Sequence, residues 1–196
     1  MEEEILIINA SPRKNKNCFN IVKDIINIFN IEKIKYRVLN IYEMDINYCD
    51  DCGFCQRKKG CRIKDDMSEL YDAFDKSKGS IVVSPIYFNS IPAKMKTLID
   101  RTQAIYSSKF ILKDSIIDRN KKRASMYIAV GGSDEYEDQF AGGDIVMDFF
   151  FKSINARSIK NIRISNTDEK SYLQSKEYQN NIKENTIDYI NNIKNL

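Results

Sequence analysis

The run ILIINASPRKNKNCFNIVKDIINIF, residues 5–29, decides the fold. Its first four residues, Ile5-Leu6-Ile7-Ile8, are apolar without alternation, the pattern of a strand covered on both faces. A polar turn follows. Cys18, Ile21, Val22, Ile25, Ile26 and Phe29 then recur at helical spacing, so a helix packs back onto that strand. Strand, loop and helix form a unit whose repetition defines an α/β chain with a parallel sheet.

The unit recurs along the chain. Further strands are predicted near 35–41, 80–84, 124–130 and 158–164, and helices near 67–77, 92–106 and 141–152. A terminal helix carries Ile182, Tyr189, Ile190 and Ile193 on one face. Pro92 suits a first helical turn. Right-handed crossovers then give a doubly wound, three-layer α/β/α arrangement whose five-stranded parallel sheet has the order 2-1-3-4-5. With no internal repeat or low-complexity linker, residues 1–196 read as a single domain with a cysteine-rich loop at about 45–66. Sheets of this kind take ligands beyond the carboxyl ends of their strands, near the switch between strands one and three. The loops beginning at Asn9, Ser84 and Gly131 are therefore the candidates for function.

Composition removes several classes. The 31 basic and 28 acidic residues, net +3, are spread evenly and make no electrostatic stripe for nucleic acid. Lys121-Lys122-Arg123 reads as a solvated turn before a strand. No apolar run is long enough to span a bilayer. Met1-Glu2-Glu3-Glu4 leads straight into a strand without a secretory pattern, which places the chain in the cytoplasm. Histidine is absent, so a histidine base, a Ser-His-Asp triad and His-containing metal sites are excluded.

The first loop joins a strand to a helix start, where unpaired N–H groups and the helix dipole favour an anion. Ser11 brings a hydroxyl, Arg13 a charge, Asn17 a candidate N-cap, and Cys18 and Phe19 their backbone N–H groups. The absence of GxGxxG and of a Walker lysine argues against a Rossmann dinucleotide site or a triphosphatase. On spacing alone a plain polar turn remains open. The second loop, Ser84-Pro85-Ile86-Tyr87-Phe88-Asn89-Ser90-Ile91-Pro92, is stiff and aromatic. It offers a flat apolar contact and backbone hydrogen bonds to a planar ring, or else tucks its aromatics into the core. Gly131 and Gly132 permit close backbone approach to a ring edge, or simply turn the chain. Asp134, Glu135, Glu137 and Asp138 around Tyr136 read as a solvated loop.

Cys49-x2-Cys52-x2-Cys55-x5-Cys61 sits in a loop after the second strand. Three cysteines at successive x2 spacing and a later fourth are able to wrap a [4Fe–4S] cubane. Zinc more often pairs separated hairpins, and unmetallated thiols are the third alternative. Cys18, inside an apolar stripe, reads as a core residue rather than an activated thiolate.

Ser11-Pro12-Arg13 followed by Asn15-x-Asn17 and a small residue, the string SPIYFNSIPAKMK at 84–96 with Asp100-Arg101, and the four-cysteine motif followed by Asp65-Asp66-Met67 resemble one family. It is the flavodoxin-like NAD(P)H-dependent FMN reductases, with their iron-sulfur flavoprotein branch. The resemblance runs from about residue 5 to residue 132; Ala10 stands where the family often has Gly, and Cys18 where Ser or Thr is usual. It implies FMN with its phosphate at Ser11, Arg13, Asn17, Cys18 and Phe19, its ring against Pro85, Ile86, Tyr87, Phe88 and Asn89, and its edge at Gly131 and Gly132. It implies a [4Fe–4S] cluster on Cys49, Cys52, Cys55 and Cys61. NAD(P)H or a protein donor would supply electrons to a small-molecule or protein acceptor, and the chain would assemble as a dimer or tetramer. Flavin chemistry needs no histidine, because hydride passes directly to the cofactor. Two other readings are a metal-free NAD(P)H:quinone reductase and a flavodoxin-like electron carrier or flavin-binding regulatory module without turnover.

Overall fold

The structure, a computed structural model, describes residues 4–196. Met1, Glu2 and Glu3, on which the reading of the N-terminus partly rested, lie outside the described residues. Strands β1 (Ile5–Asn9), β2 (Tyr36–Asn40), β3 (Gly79–Pro85), β4 (Ala124–Val130) and β5 (Arg157–Ile164) form one parallel sheet in the order β2-β1-β3-β4-β5. The helices are α1 (Asn17–Ile31), α2 (Met67–Lys76), α3 (Ala93–Arg101), α4 (Gln103–Phe110), α5 (Ala141–Ser153) and α6 (Lys176–Lys194).

The alternation of side chains along each strand explains the two-sided sheet. Ile5 and Ile7 of β1 face one way with Ile81 and Val83 of β3, and meet Ile21, Ile25 and Phe29 of α1 and Ile190 of α6. Leu6 and Ile8 face the other way with Val82, and meet Leu70 and Phe74 of α2, Leu98 of α3 and Phe150 of α5. Burial of each such side chain contributes about 1.5–3 kcal/mol, so the cores on both faces, rather than any polar contact, hold the layers together.

Three features depart from expectation. The segment 92–106 is not one helix: it breaks at Thr102, and α4 runs on to Phe110. Thr102 donates its hydroxyl to Ile99 O at 2.7 Å and its N–H to the same carbonyl at 2.9 Å, tightening the last turn of α3 and letting α4 restart. Pro92 caps α3 in an extended conformation instead of opening its first turn. Arg123 is not part of a solvated turn: it is buried, pairs with Asp75 at 3.1 Å and donates to the carbonyls of Asp118 and Asp75.

Candidate functional site

At the carboxyl ends of β1 and β3, where the strand order reverses, the structure has an open cleft. One wall is the β1–α1 loop, with Ser11, Arg13, Lys16, Asn17 and Cys18; the opposite wall is Pro85, Ile86 and Tyr87. Val130 and Gly132 close one side with Thr167 and Asp168.

The loop wall is an anion cradle by construction. Asn9 Oδ1 accepts from Ser11 N–H at 3.2 Å, and Ser11 Oγ accepts from Arg13 N–H at 3.2 Å, so two consecutive side-chain turns shape the loop. The first bond into α1 runs from Asn20 N–H to Lys16 O, which leaves the N–H groups of Asn17, Cys18 and Phe19 without intrahelical acceptors beside two cations. Asn17 itself does not cap the helix. It is the first helical residue, its Oδ1 accepts from Tyr172 N–H at 3.0 Å, and its Nδ2 reaches Thr167 O at 3.5 Å. Cys18 is buried, and desolvation pushes its thiol up to about 12. It is a neutral core side chain, and the activated thiolate is excluded at neutral pH.

Tyr87 and Ser90 exchange backbone hydrogen bonds at 2.8 and 3.1 Å, closing a two-residue turn over Phe88 and Asn89. Both central residues have positive φ, 49° and 58°, as a primed hairpin turn requires. The ring of Phe88 stands fully exposed at the tip, outside the cleft, whereas Tyr87 lines it. Asn89 also lies outside: its Oδ1 accepts from Tyr136 O–H at 2.5 Å, its Nδ2 donates to Asp138 O at 3.3 Å, and its carbonyl accepts from Gly143 N–H at 3.2 Å. A Cβ on Gly142 would come within 2.6 Å of that carbonyl, so this glycine allows the turn to seat on α5. Phe19 falls on the far side of the first loop, in a separate cleft with Tyr42 and Asn40. Gly131 is buried beneath Gln139, and only Gly132 reaches the main cleft.

Sequence reasoning missed Lys16, Thr167 and Asp168. The last two arrive because segment 166–168 pairs with 131–133: Asn166 N–H to Ser133 O at 2.6 Å, Thr167 N–H to Gly131 O at 3.2 Å, Asp168 N–H to Gly132 O at 2.9 Å. The Asp168 carboxylate occupies the space where Gly132 lacks a Cβ.

All four motif cysteines line a second, narrower pocket over the N-terminal turn of α4. A short 3-10 turn, Phe54–Gln56, follows Gly53 at φ 65° and presents Cys55, whose Sγ lies 3.5 Å from Ser107 Oγ. The neck of this loop is tied. Asp45 and Asp66 bond twice, Asn47 N–H donates to Asp65, and Arg101 holds Asp65 and the carbonyl of Asn47. Among the described residues no three His, Cys, Asp or Glu side chains converge to hold a single ion. Four thiols on one pocket are a donor set of the kind an iron–sulfur cluster takes. Arg101 also lines this cavity, and its buried Nε–H has no acceptor, a donor suited to sulfur carrying negative charge.

The doubly wound sheet, with an anion cradle at its switch point and an aromatic loop opposite, defines a flavodoxin-like protein. The family model for NADPH-dependent FMN reductase matches residues 4–136, and the chain belongs to that family. An iron-sulfur flavoprotein of Methanocaldococcus jannaschii is 33% identical over 148 residues, 73% of this chain and 68% of the relative. One of Methanosarcina thermophila is 32% identical over 126 residues, 64% of this chain and 62% of its own length. The chain thus spans about three-fifths of that relative. Among solved structures, an FMN-dependent NADH-azoreductase from Bacillus anthracis in complex with FMN has a TM-score of 0.72 at 15% identity, covering 95% of this chain and 99% of the other. That likeness is one of fold. No helix among the described residues is long and apolar enough to cross a membrane.

Proposed function

We propose that this protein is an FMN-dependent oxidoreductase of the iron-sulfur flavoprotein type, acting in the cytoplasm as a homo-oligomer built on one domain. The observation that carries the reading is the cleft at the strand switch, with Arg13, Lys16 and the start of α1 at Asn17 and Cys18 at one end and Pro85, Ile86 and Tyr87 at the other. A phosphate fits the first end and a flat ring the second.

In this reading Ser11, Arg13, Lys16 and the start of α1 bind the phosphate, and Asn17 holds segment 167–172 against that loop. Tyr87 and Ile86 orient the ring, and Gly132 lets backbone approach it. FMN, when bound, supplies the hydride-accepting chemistry from NAD(P)H that the side chains do not. Phe88, held at positive φ with its ring in solvent, is placed for an incoming donor, acceptor or second subunit. Ile145 and Phe149 on the outer face of α5 supply further exposed apolar surface for assembly. Cys49, Cys52, Cys55 and Cys61 would hold a [4Fe–4S] cluster, which supplies one-electron capacity beside a two-electron cofactor.

Anaerobic purification with flavin extraction, iron and sulfide assays and steady-state NAD(P)H oxidation tests the proposal. We expect one FMN and about four irons per chain. Flavin with oxidase activity but no iron would support the metal-free reductase instead, and flavin without turnover would support the carrier.

A further inference from the structure

The floor of the cysteine cavity is formed in part by an arginine. Arg101 lies at the C-terminal end of α3, is 2% exposed, and lines the cavity with the four thiols. Its Nη1 donates to Asp65 Oδ2 at 2.6 Å and to Asn47 O at 2.7 Å; its Nη2 donates to Asp65 Oδ1 at 3.0 Å and reaches Ile63 O at 3.5 Å. The third nitrogen, Nε, is buried and has no acceptor in range among the described residues. Five contacts would hold the guanidinium as well if Nε faced a carbonyl, and a buried N–H left unpaired costs free energy. The other arginines of the loop do not share this position. Arg62, exposed, pairs with Asp50 and also reaches the Cys52 thiol from the solvent side, and Arg57 is exposed.

We propose that Arg101 is a positioning residue whose Nε–H donates a charge-assisted hydrogen bond to a sulfur of the iron–sulfur group on Cys49, Cys52, Cys55 and Cys61, raising its reduction potential. The inference rests on the cluster reading above. The ion pair with Asp65 fixes the planar fork, so the one remaining donor is held in a set orientation on a residue that lines the cavity. Reduction adds negative charge that spreads onto sulfur, and a donor aimed there stabilises the reduced form more than the oxidised one. Lysine would keep a charge near Asp65 but lacks an N–H held in place by a planar fork, as Nε–H is.

The test uses the full chain, FMN-loaded and prepared anaerobically. Wild type and Arg101→Lys are compared for iron and sulfide content and by potentiometric EPR titration. Arg101→Lys is expected to retain its iron while the oxidised-to-reduced ratio at the wild-type midpoint rises from one to about ten, a shift of about 59 mV for one electron. Retained iron with an unshifted midpoint overturns the inference. If Arg101→Lys fails to fold or to hold iron, pulsed EPR on reduced, 15N-arginine-labelled Arg57→Lys/Arg62→Lys protein decides. A 15N coupling to the cluster supports Arg101 as donor, and its absence overturns it. Wild-type protein without iron and sulfide removes the cluster reading and this inference with it.

Discussion

Arg101 and Asp65 form a bidentate ion pair, Nη1 to Oδ2 at 2.6 Å and Nη2 to Oδ1 at 3.0 Å, with both side chains sealed from solvent. The pair joins the end of α3 to the end of the cysteine loop. Replacing Asp65 by Asn leaves a buried, uncompensated guanidinium and is expected to cost about 3–5 kcal/mol in urea unfolding. A loss below about 1 kcal/mol would contradict this. Burial pushes the Asp65 carboxyl up, but Arg101 and the N–H groups of Asn47 and Met67 outweigh it and hold the carboxyl below its ordinary range. Its stabilisation is therefore present above the unfolded value of about 3.9 and is lost as pH falls through the lower folded value. Wild type should lose urea resistance steeply below about pH 4, and Asp65→Asn less so.

Gly142 lies under Asn89 O, where a Cβ would approach within 2.6 Å. Alanine there gains up to about 1 kcal/mol of helix propensity but must displace the 87–90 turn. A net destabilisation of about 1–3 kcal/mol is expected, with weaker flavin binding. Thermal melts and flavin titration check both, and an unchanged flavin affinity would show that the turn does not help shape the cleft.

Tyr87 lines the cleft and contributes shape. Tyr87→Phe should alter flavin reduction by NADH or NADPH less than about tenfold, under about 1.4 kcal/mol in the barrier, because hydride transfer needs a near-attack stack and no proton donor. Rapid mixing measures it. A loss of about a thousandfold with FMN still bound would make the hydroxyl catalytic.

Cys18 is buried with its thiol raised to about 12. Its neutral form is the one the fold accommodates, so its contribution is complete below the ordinary thiol value of about 8.5 and is lost as pH rises towards the folded value. In metal-free protein at pH 8, alkylation followed by mass spectrometry should modify the loop cysteines first and spare Cys18. Rapid modification of Cys18 would place it outside the core.

The sheet was legible because Ile5–Ile8 and 124–130 are buried throughout and almost wholly apolar, Ser125 excepted. The first and second loops were legible from residue chemistry, and Ser11, Arg13, Asn17, Pro85, Ile86 and Tyr87 do share one cleft. The ring of Phe88 stands outside the cleft because a turn of two positive-φ residues, not visible in residue type, sets its direction, and the ring of Phe19 lines a separate cleft. The break at Thr102 depends on a side-chain hydroxyl competing with the backbone. Thr167 and Asp168 reach the cleft through tertiary pairing with 131–133, a contact between segments far apart in sequence. The one available hint was Asn17, a polar residue at a helix start whose partner turned out to be that segment.

The claim that the cleft is built around a phosphate-bearing flavin is tested most directly by calorimetric titration of the apoprotein with FMN and with riboflavin, which differ only in that phosphate. Charge-assisted hydrogen bonds from Arg13 and its neighbours predict FMN tighter by about 1.5–3 kcal/mol, roughly 10- to 150-fold, with Arg13→Ala losing much of the difference. Equal affinities for FMN and riboflavin in the wild-type protein would contradict the account.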